Sequence, residues 1–380
     1  HEVILALSGL LSDTIEPIRA AFVGLLPQEN IRVWRAPAPV KEEQLGNDNR
    51  REVAEIAREA FLASLLPDVI HISSLFEGYV DDAVTSIGRF DSATAVSVSL
   101  YDLIPLLNPD HYLKPKPRYA QHYMRKVGYL RQAAIYLAIS EFTRQEGIEK
   151  LNISESTVIN VSTAIEPSFQ PLPLNDSDTA RLRQKIGIAG PFVLYTGGAD
   201  ERKNLPRLIN AFAALPAALR DSHQLLLAGQ IHNVPKLMKH AKSLGLQVNK
   251  LCFTGYVTNK ELIQLYNLCK LFIFPSWHEG FGLPALEAMA CGAPVIGSNT
   301  SSLPEVIALD EALFDPGDVG AITTKMAQAL QDDAFRARLR EHGLKQAKKF
   351  SWDESAKRAL AAWEKLNLRH HRPNAYIDST

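Results

Sequence analysis

Two glutamates stand eight positions apart in Ser276–Val295, SWHEGFGLPALEAMACGAPV. Glu279 precedes a Gly-Phe-Gly run, and Glu287 lies in a stretch otherwise almost wholly apolar. From Leu271 through Thr324 the sequence contains no lysine or arginine. Glycines let a backbone approach a ligand closely, and a helix N-terminus offers free N–H groups to an anion. Two hydrogen-bond-accepting carboxylates beside such donors suit a ligand that carries both hydroxyls and phosphates, as a nucleotide sugar does.

The elements that would position these groups can be read locally. LFIFPS is a buried strand, EGFGLP the loop at its carboxyl end, and PALEAMACG a short helix. Pro284 suits a first helical position and Gly292 a C-terminal cap. Ala285, Leu286, Ala288, Met289 and Ala290 face nearly all round this helix, which predicts burial. Residues three and four after Glu287 are Ala290 and Cys291, so no ion pair within the helix can satisfy it. A buried carboxylate without partners costs several kcal/mol, so Glu287 needs donors from elsewhere. A first-turn glutamate favoured by the helix dipole, by about 0.3–1 kcal/mol, is the plainer reading.

Phosphate charge also requires a cation. Tyr195–Phe212, YTGGADERKNLPRLINAF, reads as a strand end, a small-residue loop and a helix, with Arg202 and Lys203 at the loop-to-helix junction. The same run also fits a solvated, self-compensating charge cluster.

Short apolar runs alternate with amphipathic stretches throughout, the pattern of parallel α/β folds. Strands are expected at EVILALS, DVIHIS, AVSVSL, IYLAIS and TVINVS in the first half. In the second they are expected at PFVLYTG, QLLLAG, LCFTG, LFIFPS and APVIGS. Each set of about five predicts its own doubly wound sheet, with two Rossmann-like domains facing across a cleft and ligands at strand carboxyl ends. The chain of 380 residues exceeds one ordinary core. The expected division is 1–167, a linker at 168–178, a second domain at 179–350, a helix at 351–366 returning toward the first domain, and a polar tail at 367–380.

Composition is that of an ordinary globular protein: 46% hydrophobic, 22% charged, net charge −1. This gives no electrostatic case for nucleic acid. No apolar stretch approaches a membrane span and no signal peptide is recognisable. Cys252, Cys269 and Cys291 lack C-x-x-C spacing and suit a reducing cytoplasm. The chain opens at His1 inside a strand, which leads us to expect a missing upstream segment.

The runs GGADERKNL, GYVTNKELIQLYNLCKLFIFPSWHEGFGLPALEAMACGAPVIGSNTSSLPEV and DPGD resemble the donor-binding half of the family 4 retaining glycosyltransferases, of GT-B fold. The resemblance is dense from Pro191 to Asp318. It implies that Glu279 contacts the transferred sugar, that Glu287 binds the ribose hydroxyls, and that Lys203 with Arg202 holds the diphosphate. It further implies that the amides of Phe281, Gly282 and Leu283 lie along sugar and phosphate, and that Tyr256 and Val257 flank the base. Many members carry an arginine where Gly198 stands, which would leave more of the phosphate charge to Lys203.

Upstream the resemblance thins. In SVSLYDLIPLLNPDHYL the family's His-Asp pair is replaced by Tyr101-Asp102, two candidates for the reacting centre. AISEFTRQ matches the family's S-E-F-T-R run, with Arg144 a candidate for phosphate or acceptor, and Glu77 in FEG a candidate acceptor contact. Tyr112–Ala133 mixes six cations with five tyrosines or histidines and no acid. That segment fits an anionic or membrane-borne acceptor, or a solvated helix face. The family's first strand has no counterpart, and roughly 35–45 upstream residues are expected for a βαβ unit plus its start.

The implied activity is retaining transfer of a hexose, mannose favoured, to a saccharide or lipid-linked saccharide. The donor would be GDP-mannose or a UDP- or dTDP-sugar, with no metal and no further cofactor. The enzyme is expected in the cytoplasm, with peripheral contact at the inner face of the membrane. The alternatives are a nucleotide-sugar epimerase of the same fold and a transferase-like binding subunit. The one D-x-D, Asp176-Ser177-Asp178, reads as helix capping.

Overall fold

The computed structural model describes residues 1–173 and 175–370; most of the expected polar tail lies outside them. The chain forms two compact units. Among the described residues, one comprises 1–139, 144–161 and 356–370; the other comprises Ser140–Thr143 and Ser162–Ser355.

In the first unit, β1 (Leu5–Ser8) pairs in parallel with β2 (Ile31–Trp34) as a separate two-stranded sheet. β3 (Val69–Ile72), β4 (Ala95–Leu100), β5 (Ile135–Ala138) and β6 (Val158–Asn160) form a four-stranded parallel sheet in that order. This corrects the expectation of one sheet of about five strands. The run IRVW gives no clear strand signal because Arg32 interrupts its apolar pattern; Arg32 is exposed while Ile31 and Trp34 are buried.

The side chains of β5 show why its sequence is apolar throughout. Tyr136 and Ala138 enter a core with Val98, Leu100, Val127 and Leu130. Ile135 and Leu137, on the opposite face by strand alternation, pack with Val161, Ala359, Ala362 and Leu366. The last three belong to the helix Trp352–His370, and Trp363 of that helix donates from Nε1 to Ser97 Oγ at 2.9 Å.

Many cations of Tyr112–Ala133 are used inside this unit, which corrects the picture of a freely presented basic surface. His122 Nδ1 meets Glu42 Oε2 at 2.5 Å and its Nε2 meets the Phe76 carbonyl at 3.1 Å. Arg125 donates to both oxygens of Glu42. Arg118 donates to the carbonyls of Glu42 and Gln44. Lys126 is buried, with Nζ 2.6 Å from both the carbonyl and the hydroxyl of Thr85. The signal for inward direction was the helical spacing of these residues on Pro117–Leu130, a strongly amphipathic helix whose buried face includes His122 and Lys126.

The second unit contains β7 (Phe192–Thr196), β8 (Gln224–Ala228), β9 (Leu251–Phe253), β10 (Leu271–Phe274), β11 (Val295–Ser298) and β12 (Leu313–Phe314). β12 is a sixth strand beyond the expected five; two residues long, it gives no readable period. All six are parallel, in the order β12-β11-β10-β7-β8-β9. Numbered from β7 this is 3-2-1-4-5-6 reversed, the doubly wound arrangement, with its switch point between β7 and β10. Both central strands are fully buried, as their continuous apolar runs require. Asp176 and Asp178 lie in the first turn of the helix Asp176–Ile186, where the Asn175 side chain accepts from the Asp178 amide. Among the described residues no helix is long and apolar enough to cross a membrane.

Candidate functional site

The loops leaving β7 and β10 lie on either side of the switch point, where a doubly wound sheet opens a crevice at its carboxyl edge. After β7 the chain turns sharply at Gly197, whose φ of +141° favours glycine; a Cβ there would sit 2.8 Å from the Tyr195 hydroxyl. A short 3-10 turn, Glu201–Lys203, follows, and Asn204 in the left-handed region opens the helix Leu205–Ala213. Asn204 Nδ2 donates to the carbonyls of Pro275 at 3.0 Å and Pro316 at 2.8 Å, which ties this turn to the exits of β10 and β12.

That tie brings together residues seventy-six positions apart. Lys203 Nζ donates to Glu279 Oε1 at 2.5 Å, and Arg202 Nη1 lies 2.7 Å from Glu279 Oε2. Arg202 also donates to the His278 carbonyl at 2.8 Å, and its Nε lies 3.5 Å from Asp200. Lys203 stands over the Phe274 ring at 5.1 Å. Burial lowers the Lys203 pKa, with Glu279 opposing that shift. The formal charges of Asp200, Arg202, Lys203 and Glu279 sum to zero, so the cluster is internally balanced at rest. The cations expected at phosphate and the Glu279 carboxylate expected at hydroxyls are paired with each other here.

Glu287 finds the donor that its helix cannot supply. The Tyr266 hydroxyl donates to Glu287 Oε2 at 2.8 Å, and Tyr266 and Thr196 hydroxyls lie 2.8 Å apart. Tyr266 is fully buried on the capped helix Asn259–Leu268. Burial raises the Glu287 pKa above its ordinary value, while the Tyr266 bond works against the rise. Glu287 itself is half-buried, and one carboxylate oxygen is held by Tyr266.

The helix between the glutamates is Leu283–Ala290, with Gly282 as its N-cap at φ +102°. The left-handed φ favours glycine here, and a Cβ on Gly282 would also press on the Leu303 side chain at 2.6 Å. Phe281 is buried edge-on against Phe350 at 5.4 Å; Leu283 is exposed. At Gly198, by contrast, an added Cβ meets nothing within 4 Å. Beyond β9, Gly255 accepts from Gly229 N at 3.1 Å, followed by exposed Tyr256 and half-buried Val257.

Tyr101 and Asp102 belong to the first unit. Tyr101 is half-exposed, and Asp102 accepts from the Ile104 amide at 3.0 Å, an Asx-type turn into the next helix. Arg144 donates to the Val158 carbonyl at 3.0 Å and pairs with Glu155 at 2.7 Å, and Glu77 accepts from Ser74 at 2.8 Å. Asn204, Tyr266, Thr196, Ser302 and Glu305 were not singled out in the sequence. Asn204 carried a signal, as a left-handed-tolerant residue just before a helix-opening Leu-Pro.

Two parallel α/β units, the second doubly wound with a polar cluster at its switch point, make up a GT-B fold. Residues 178–346 match the family model described as glycosyl transferases group 1. The chain is 37% identical over 369 residues to the serotype-specific mannosyltransferase WbdA of Escherichia coli, covering 96% of this chain and 45% of that protein. It is 32% identical over 269 residues to the O-antigen chain mannosyltransferase B of Escherichia coli, covering 70% of each. Among solved structures, sucrose-phosphate synthase from Thermosynechococcus elongatus superposes with a TM-score of 0.66 at 21% identity, over 90% of this chain and 84% of that one. The chain belongs to the group 1 glycosyl transferases. It spans less than half the length of the WbdA relatives that it matches over nearly all of itself.

Proposed function

We propose that this chain is a retaining mannosyltransferase that moves mannose from a nucleotide-diphosphate sugar, GDP-mannose in preference to UDP- or dTDP-sugars, to a saccharide or lipid-linked saccharide acceptor in polysaccharide synthesis. The observation that carries the reading is the Glu279 carboxylate gripped by Lys203 and Arg202 at the switch point, with Glu287 one helix away. The mannosyltransferase names of the relatives support the sugar.

On this reading Glu287 accepts from the ribose hydroxyls with Tyr266 fixing its orientation. Glu279 turns toward a sugar hydroxyl, and Lys203 and Arg202 meet the diphosphate that displaces it. Tyr256 and Val257 flank the base. The bond from the anomeric carbon to the diphosphate oxygen breaks through an oxocarbenium-like state. The acceptor oxygen attacks from the same face and its proton passes to the departing phosphate, so no protein nucleophile and no metal is needed. Charge growing on that phosphate meets preorganised donors, the type of stabilisation that contributes most in such sites. Tyr101 and Asp102 are proposed for the reacting centre. A lipid-linked acceptor would bring the chain to the inner face of the membrane.

The test is incubation with GDP-mannose, UDP-sugars and dTDP-sugars and a mannose oligosaccharide. Free nucleotide with an α-mannoside of retained configuration supports the proposal. An epimerised sugar nucleotide would make the protein an epimerase, and binding without turnover would make it a binding subunit.

A further inference from the structure

The peptide carbonyls of the Glu279 loop are all engaged. Ser302 Oγ lies 3.0 Å from the Glu279 carbonyl and 2.7 Å from that of Phe281, so its single hydrogen serves both. Between them, the Gly280 carbonyl accepts from Ser140 Oγ at 2.6 Å and Thr143 Oγ1 at 3.0 Å. Ser140, Thr143 and Ser302 are buried. A trans peptide sets its N–H antiparallel to the preceding C=O. Drawing three successive carbonyls onto hydroxyls therefore turns the N–H groups of Gly280, Phe281 and Gly282 the other way. Among the described residues these three amides have no hydrogen-bond acceptor.

A second layer holds the hydroxyls. Glu305, three residues after Ser302, accepts from the amides of Glu141 and Phe142, each at 3.0 Å. The Phe142 ring stands edge-on to His278 at 5.7 Å, and the Thr143 amide donates to Ser140 Oγ at 2.9 Å. Ser140–Thr143, part of the second unit, is thus seated against the Glu279 loop from several sides.

We propose that Ser302 and Glu305 are positioning residues that hold the carbonyls of Glu279, Gly280 and Phe281 inward, so that the amides of Gly280, Phe281 and Gly282 face the diphosphate of the sugar nucleotide. The inference rests on the donor-site reading and deepens it. Its electrostatic reason is the zero charge sum of Asp200, Arg202, Lys203 and Glu279. A diphosphate arriving there gains most from donors that no carboxylate has already claimed, and three successive N–H groups supply them.

The test compares GDP with GMP and UDP with UMP by calorimetry, in the native chain and in Ser302→Ala, Ser302→Thr, Ser140→Ala and Glu305→Gln. For the base that binds, Ser302→Ala should weaken the diphosphate about tenfold and the monophosphate less than about threefold, as loss of well-aimed bonds to a charged group predicts. Ser302→Thr should restore the native ratio and Glu305→Gln should lower it. Ser140→Ala leaves Thr143 on the Gly280 carbonyl, keeps the loop folded, and should lower the ratio less. Equal loss for both nucleotides, or an unchanged ratio in every variant, overturns the positioning role. Failure of the native chain to bind either diphosphate overturns the donor-site reading itself.

Discussion

Lys203 Nζ lies 2.5 Å from Glu279 Oε1, although the two residues are seventy-six positions apart. The contact joins the loops that leave β7 and β10 and gives the lysine-free stretch Leu271–Thr324 its missing cation. On the proposed reading, Glu279 competes with the diphosphate for the same ammonium group.

Glu279→Gln removes that competitor and leaves Lys203 and Arg202 one positive charge in surplus. The expected outcome is tighter binding of the free nucleoside diphosphate, by about threefold to tenfold for an interaction of this partly buried kind. Transfer should fall at the same time, by about a hundredfold or more for loss of a contact at the reacting sugar. Calorimetry and a transfer assay on the same preparation measure the two opposite signs.

Gly198→Arg should fold as the native chain does, because a Cβ there meets nothing within 4 Å and the backbone is not in the left-handed region. A guanidinium beside Lys203 should strengthen nucleoside diphosphate binding severalfold in low salt, with the gain shrinking as ionic strength rises. Titrations at two salt concentrations check this.

Glu287 carries a pKa raised by burial. The unfolded chain therefore releases this proton at lower pH than the folded one does. The stability associated with the proton is present below the ordinary value of 4.5 and is lost as pH rises through the folded pKa. Glu287→Gln, which still accepts from Tyr266, should melt higher than the native protein near neutral pH, with the advantage vanishing toward about pH 4. The same variant should bind the sugar nucleotide more weakly. Melting curves across that range read the first effect.

Lys126 behaves in the opposite sense. Burial holds its pKa down to about 7, against 10.5 in the open chain. Between those values the unfolded chain binds more protons, so stability should rise with pH through that window. Lys126→Met should abolish this part of the slope, which urea unfolding near pH 7 and about pH 9.5 would reveal.

The second unit was the more legible part of the sequence for a physical reason. Its central strands are buried on both faces, so LFIFPS and PFVLYTG stand out as unbroken apolar runs, and Gly282, Pro284 and Gly292 mark the turn and helix that follow LFIFPS. Where burial is one-sided or brief, as at Ile31–Trp34 and Leu313–Phe314, the signal falls below notice. The charged block Tyr112–Ala133 misled in another way. Its composition resembles a surface, but Glu42, seventy-six to eighty-three positions upstream, draws Arg118, His122 and Arg125 inward. Long-range pairing of this kind is invisible to local periodicity. So was the Tyr266–Glu287 bond, although the need for such a donor was evident from the helix alone.

The central claim is that Lys203 and Glu287 belong to one sugar-nucleotide site. Calorimetric titration of GDP-mannose into the native chain, Lys203→Ala and Glu287→Ala tests it most directly. The account predicts at least a several-fold loss of affinity in each variant with the fold retained; unchanged affinity in both would contradict it.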